Sequence, residues 1–245
     1  VSVRRLDLRP LPRCCRRCAA LALLAPAVTL AACGGGAAPE DEQEVEVATF
    51  REPEAGWRVA EHPLGRGVLK YSNVKFGRPG LQLVMPPGTL NGGEVKSIEW
   101  RGDGTFTARM KGSGAPGSIS AFFLYRHDHA TDTSDELDFE IPGGAPPRVL
   151  LTVWRRGSSR PADETVIPLD FDPAAGLHEY TLRRDGSTAR FSIDGREMWR
   201  SDVAPTTTLQ PMFNAWYPDW LTPADPPTGG TMVVDRYEYR ARESR

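Results

Sequence analysis

From Trp57 onward, apolar and polar residues alternate in short runs, with little of the three-to-four-residue recurrence that marks a helix. Segments 67–76, 81–85, 106–111, 119–126, 137–141, 148–154, 179–184, 189–193 and 232–239 each carry the period-two pattern of a strand with one buried face. Asp185-Gly186 and Asp194-Gly195 are tight-turn signals between successive runs. Short strands joined by Gly/Pro-rich turns imply an all-β sandwich or barrel. No internal repeat divides the body of the chain, so residues 50–245 are expected to form one domain.

One of these runs carries chemistry. In Glu136-Leu137-Asp138-Phe139-Glu140-Ile141, the acids alternate with apolar residues. A strand would send Leu137, Phe139 and Ile141 into a core and line up three carboxylates on the other face. Crowded carboxylates cannot all ionise at their usual pKa, so one is pushed up while another stays charged. An acid paired with a nucleophile or base is what glycosidic bond cleavage requires. A solvated acidic face or a cation site would show the same alternation. Aromatic runs favour the sugar reading: Phe122-Phe123-Leu124-Tyr125 stands just upstream and Phe213-Asn214-Ala215-Trp216-Tyr217-Pro218-Asp219-Trp220 further on. Aromatic faces stack on the C–H faces of a pyranose, and nearby polar groups bond its hydroxyls.

Residues 136–140 resemble the active-site signature of glycoside hydrolase family 16, in the regular form found in bacterial lichenases and xyloglucan transglycosylases. Residues 71–76, 93–97, 105–111 and the pair Asn214 and Trp216 follow in family order. The resemblance spans about Gly67 to Arg240. It implies a concanavalin A-like β-jelly roll of two curved antiparallel sheets, with the substrate across the concave one. It makes Glu136 the nucleophile, Glu140 the general acid/base, and Asp138 the residue that sets their protonation. Glu94 and Lys96 fall where a Glu-x-Arg pair meets glucose units, although an ordinary surface ion pair is the alternative. Lys in place of Arg loses a bidentate fork. Phe123, Tyr125, Trp154, Asn214, Trp216 and Trp220 match substrate-binding positions. Ser134 stands where relatives often carry Trp. No cofactor is required. A structural Ca²⁺ fits the resemblance, with Asp235 and the Gly80 carbonyl as ligands, because hard oxygen donors suit that ion. His127, His129 and Asp132 are read as a polar loop rather than a metal cluster.

The N-terminus changes the expected location. Six arginines among residues 4–17 precede a short apolar run at 19–30, well under the roughly 20 residues that span a bilayer. Residues 1–32 therefore read as a signal peptide. Leu30-Ala31-Ala32-Cys33 resembles a lipobox, which makes Cys33 the lipidated residue. A plain secretory signal is the alternative. Residues 33–49, Gly/Ala-rich and then acidic, are expected to be a flexible linker. The four cysteines are Cys14, Cys15, Cys18 and Cys33, so the body of the chain holds no disulfide, thiol nucleophile or thiolate metal site. A net charge of −2 argues against nucleic acid as a partner. The expectation is a monomeric retaining endo-β-glucanase, lipid-anchored at a bacterial surface or in the periplasm, acting on β-1,3-1,4- or β-1,3-glucan. The alternatives are another polysaccharide (xyloglucan, galactan or a cell-envelope glycan), transglycosylation, and a non-catalytic carbohydrate-binding jelly roll.

Overall fold

The computed structural model describes residues 44–158 and 161–242. The expected signal peptide and the lipidation site at Cys33 lie outside the described residues. Two antiparallel sheets face each other. One runs, in spatial order, β12 (Asp163–Pro168), β11 (Arg148–Trp154), β10 (Thr133–Pro142), β9 (Ile119–Asp128), β16 (Gln210–Trp216), β7 (Gly93–Ser97) and β2 (Trp57–Ala60). The other runs β15 (Arg196–Ser201), β14 (Thr188–Ile193), β13 (His178–Asp185), β8 (Gly104–Lys111), β17 (Gly230–Ala241), β6 (Leu81–Met85) and β5 (Val74–Lys75), with β1 (Val45–Ala48) also paired to β17. A small hairpin of β3 (His62–Leu64) and β4 (Gly67–Leu69) stands apart from both. This is the all-β sandwich that the alternation pattern allowed, in the jelly-roll form that the family resemblance implied.

The inner faces interlock through aromatic rings. Phe139 meets Tyr180 at 5.6 Å and Phe191 at 5.2 Å, while Phe122 stacks on Phe213 at 5.1 Å between centroids. Leu137 and Phe139 are fully buried and Ile141 is nearly so, as the alternation requires. Burying each such side chain contributes about 1.5–3 kcal/mol, which lets the domain stand on its core without disulfides. Asp194 and Gly195 both have positive φ (49° and 78°), the backbone of a tight hairpin turn between β14 and β15.

The folded domain begins earlier than residue 50. Val45–Ala48 pair with Tyr237–Arg240, and Arg101 binds Glu44 at 2.6 Å and Glu46 at 2.8 Å. The acidic residues of the expected linker are thus partly ion-pair partners of the sandwich. Segment 67–76 is not one strand either: a 3₁₀ turn at Tyr71–Asn73 separates β4 from β5.

Candidate active site

Strand β10 pairs without a break in register to β9 over 133–142 and to β11 over 136–140. No bulge interrupts it, so Glu136, Asp138 and Glu140 all point away from the core into one cleft of about 970 Å³. Neighbouring strands extend three rows across the floor. Gln210, Tyr125, Glu136 and Trp154 form one. Arg58, Lys96, Met212, Phe123, Asp138, Thr152 and Glu164 form the next. Glu94, Asn214, Ala121, Glu140 and Leu150 form the third. Every substrate-binding residue expected from the sequence (Glu94, Lys96, Phe123, Tyr125, Trp154, Asn214, Trp216 and Trp220) lines this cleft.

The electrostatics follow from crowding in a dry floor. Burial lifts Glu136 to about 7; a hydrogen bond with Asp138 opposes the rise, and the charges of Glu140 and Glu94 add to it. Asp138 is only 4% exposed. Burial, then the charges of Glu136 and Glu140, drive its carboxyl well above the usual range. Asp138 therefore keeps its proton and donates it to Glu136, while the Trp154 indole N–H donates to Asp138. Burial also lifts Glu140 to about 7. The three carboxyls titrate as a coupled set, in which the hydrogen bond from Asp138 favours the charged form of Glu136 and burial favours the protonated form of Glu140. A charged carboxylate beside a protonated one is the pair that retaining glycoside cleavage uses.

The surrounding groups hold this floor in place. Glu94, 3% exposed, does not pair with Lys96. Its oxygens take His62 Nε2 at 3.2 Å and Asn214 Nδ2 at 3.3 Å. No sequence signal pointed to His62, which lies 32 positions away on a separate hairpin. That hairpin also secures the aromatic loop. Arg66 donates from Nε to the Pro218 carbonyl at 3.1 Å and from Nη2 to the Asp219 carbonyl at 2.6 Å. Gly65, at φ 53°, fits because a Cβ there would sit 2.4 Å from the Tyr217 carbonyl oxygen. Trp220, just past these carbonyls, is 56% exposed. Trp100 was also missed; it is 44% exposed in the cleft, with the Arg126 guanidinium 5.3 Å from its ring centre. Ser134 stands at the position where Trp was noted in relatives, and it hydrogen-bonds Tyr125 instead of offering a ring.

The expected cation ligands lie on the other sheet. Asp235 sits where the β17–β8 register shifts, and a Cβ on Gly80 would come 3.0 Å from the Asp235 Cα, so the two are adjacent. The Asp235 carboxylate, however, accepts from Arg109 Nη1 at 2.5 Å and lies 3.9 Å from Arg51 Nη2. Two guanidinium groups already neutralise it, so the donor set does not fit a Ca²⁺ ion as it stands. His127 lies 3.5 Å from Asp132 and its ring centre is 4.5 Å from that of His129, at the turn between β9 and β10. Among the described residues, no group of three or more His, Cys, Asp or Glu side chains is gathered for a metal.

A β-sandwich whose cleft carries coupled carboxylates beneath aromatic walls has the architecture of a polysaccharide-cleaving protein. The model of glycosyl hydrolases family 16 matches residues 66–222, and the chain belongs to that family. It is 27% identical over 147 residues to a β-glucanase of Bacillus subtilis strain 168, a match covering 59% of this chain and 60% of the relative. The structure of the Bacillus licheniformis β-glucanase superposes with a TM-score of 0.72 at 22% identity, covering 81% of this chain and 98% of that one. A structure described as a pseudo β-1,3-glucanase of Mycobacterium tuberculosis shares the fold, with a TM-score of 0.65 at 19% identity over 81% of this chain and 98% of that one.

Proposed function

We propose that this chain is a retaining endo-β-glucanase acting on β-1,3-1,4- or β-1,3-linked glucan. The observation that carries the reading is the unbroken β10 row, in which Asp138 hands a hydrogen bond to Glu136 while Glu140 stands two pleats along. In the first step Glu136 attacks the anomeric carbon, the glycosidic bond breaks, and Glu140 gives its proton to the departing oxygen. In the second step Glu140 takes a proton from water, and that water releases the sugar from Glu136. Asp138 keeps Glu136 from holding the proton that would stop its attack. Tyr125, Trp154 and Trp216 shape the walls, and Asn214 and Glu94 offer polar groups for sugar hydroxyls.

The test is digestion of a panel: mixed-linkage β-glucan, β-1,3-glucan, xyloglucan and galactan, with product sizes read out and Glu136→Gln as control. Cleavage of the first two into short oligomers supports the reading. Cleavage confined to another polymer moves the substrate assignment, and binding without cleavage makes the chain a carbohydrate-binding jelly roll. The same reading puts the enzyme outside the cytoplasm, held to a membrane by lipid on Cys33. Cys33→Ala should abolish detergent-phase partitioning, and unchanged partitioning would remove the anchor from the proposal.

A further inference from the structure

Among the described residues, two cations in the cleft have no ion-pair or hydrogen-bond partner. They are Arg58 on β2 and Lys96 on β7, which are direct cross-strand neighbours and both line the cleft. Arg78, Arg183 and Arg196 also lack side-chain partners among the described residues, but none of them lines the cleft, and several other arginines are engaged. Arg101 binds two glutamates, Arg109 and Arg51 share Asp235, Arg66 grips backbone carbonyls, and Arg184 is locked to Asp103. The nearest carboxylate on the same face, Glu94, is committed to His62 and Asn214. The Arg58–Lys96 corner is therefore positive and unsatisfied at one flank of the cleft.

The opposite flank has the other sign. The row that ends at Lys96 and Arg58 carries Asp138 at its middle and Glu164 at its far end. Lys96 lies three strand steps from Asp138, about 14 Å at the spacing of paired strands. An anion resting on the cationic corner has two balancing charges beside it, whereas one on the Glu164 side would face the acids of the floor unaided.

We infer that the β7–β2 flank of the cleft receives a negatively charged sugar unit, bearing a carboxylate or sulfate held between Arg58 and Lys96. This inference rests on the glycan-cleaving reading of the same site and names its substrate class: a polysaccharide with anionic groups on one side of the bond cleaved. Arg58 supplies a planar fork that takes two oxygens, and Lys96 a point charge beside it.

The experiment is affinity electrophoresis of the full chain carrying Glu136→Gln. The gels contain neutral mixed-linkage glucan, the same glucan carboxymethylated, or the same glucan sulfated. Arg58→Gln, Lys96→Gln and the double variant are compared in each, with circular dichroism to establish that they fold. The expected result is about tenfold tighter binding to one anionic gel than to the neutral gel at low salt. Added salt should shrink that preference, and the double variant should remove it. The carboxymethylated and sulfated gels separate the two anion chemistries. Equal retardation in all gels, no retardation in any, or a preference that survives the double variant overturns the inference. Digestion by the chain with Glu136 intact keeps the two readings apart. Binding with anionic preference but no cleavage defeats the hydrolase reading and leaves this one standing, whereas cleavage without ionic preference does the reverse.

Discussion

Replacing Glu140 with Gln should make the protein more stable at neutral and alkaline pH while removing its activity. Burial lifts Glu140 from 4.5 to about 7. The folded state therefore holds this proton more tightly than the unfolded chain does. Between the two pKa values the native state binds more protons, so stability falls as pH rises. The contribution is fully present below about 4.5, declines across the interval, and is gone above about 7. A shift of this size corresponds to about 3 kcal/mol of lost stability at pH 8. Gln fills the same space without a charge and escapes that loss. It also removes one of the charges that hold Glu136 and Asp138 high. For a domain of this size each kcal/mol moves Tm by roughly 2–4 °C, so the Glu140→Gln variant should melt roughly 6–12 °C above wild type at pH 8. At pH 5 the gap should nearly close. The assay is thermal unfolding by circular dichroism from pH 5 to pH 9 for both proteins. A gap that does not change with pH, or a wild type that is the more stable at pH 8, would refute the argument that the cleft floor stores the cost of buried acids.

Further outcomes follow from the same geometry. Glu136→Gln should lower kcat by at least roughly a hundredfold, the lower end of what a positioned carboxyl contributes, with glucan binding retained; steady-state hydrolysis with parallel binding checks it. Glu136 and Glu140 stand two pleats apart on one unbroken strand, and if they act as the proposed retaining pair the first product should keep the β configuration; an α signal in early NMR spectra would make Glu136 something other than the nucleophile. Arg66→Ala removes the grip on the Pro218 and Asp219 carbonyls and should raise KM several-fold with little change in kcat, as the Trp220 platform loses its anchor. Arg184 is 2% exposed, bonds Asp103 at 3.0 Å, and donates to the Thr207 carbonyl at 2.5 Å. Arg184→Ala removes the buried guanidinium and its bonds to Asp103 and the Thr207 carbonyl, while Asp103 keeps the Gly186 N–H; it should cost about 1.5–3 kcal/mol, read as a lowered Tm.

Alternation determined an all-β domain, sandwich or barrel, because a period-two pattern fixes which face of a strand is buried; the jelly roll followed from the family resemblance of residues 136–140 and their neighbours. Alternation also placed Leu137, Phe139 and Ile141 inward and the three acids outward, as the structure has them. It failed where both faces of a strand are covered. Strand β16 is buried almost throughout, so its inner Phe213 and its cleft-facing Met212 and Asn214 give no contrast to read. Edge strand β12 was passed over for the opposite reason: it buries none of its residues fully. The aromatics of the cleft were legible because several cluster near the acids in sequence. His62, Arg66, Arg58 and Trp100 were not, since each reaches the site through a strand pairing or hairpin docking between distant segments. The pairing of Asp235 with Arg109 was equally invisible: a carboxylate in the sequence does not show whether a cation or a guanidinium will meet it. The chain's pattern of apolar positions sets which face of each strand is wet. Only the register between strands decides which wet residues share a floor, and in this cleft that register couples the protons of Glu136, Asp138 and Glu140.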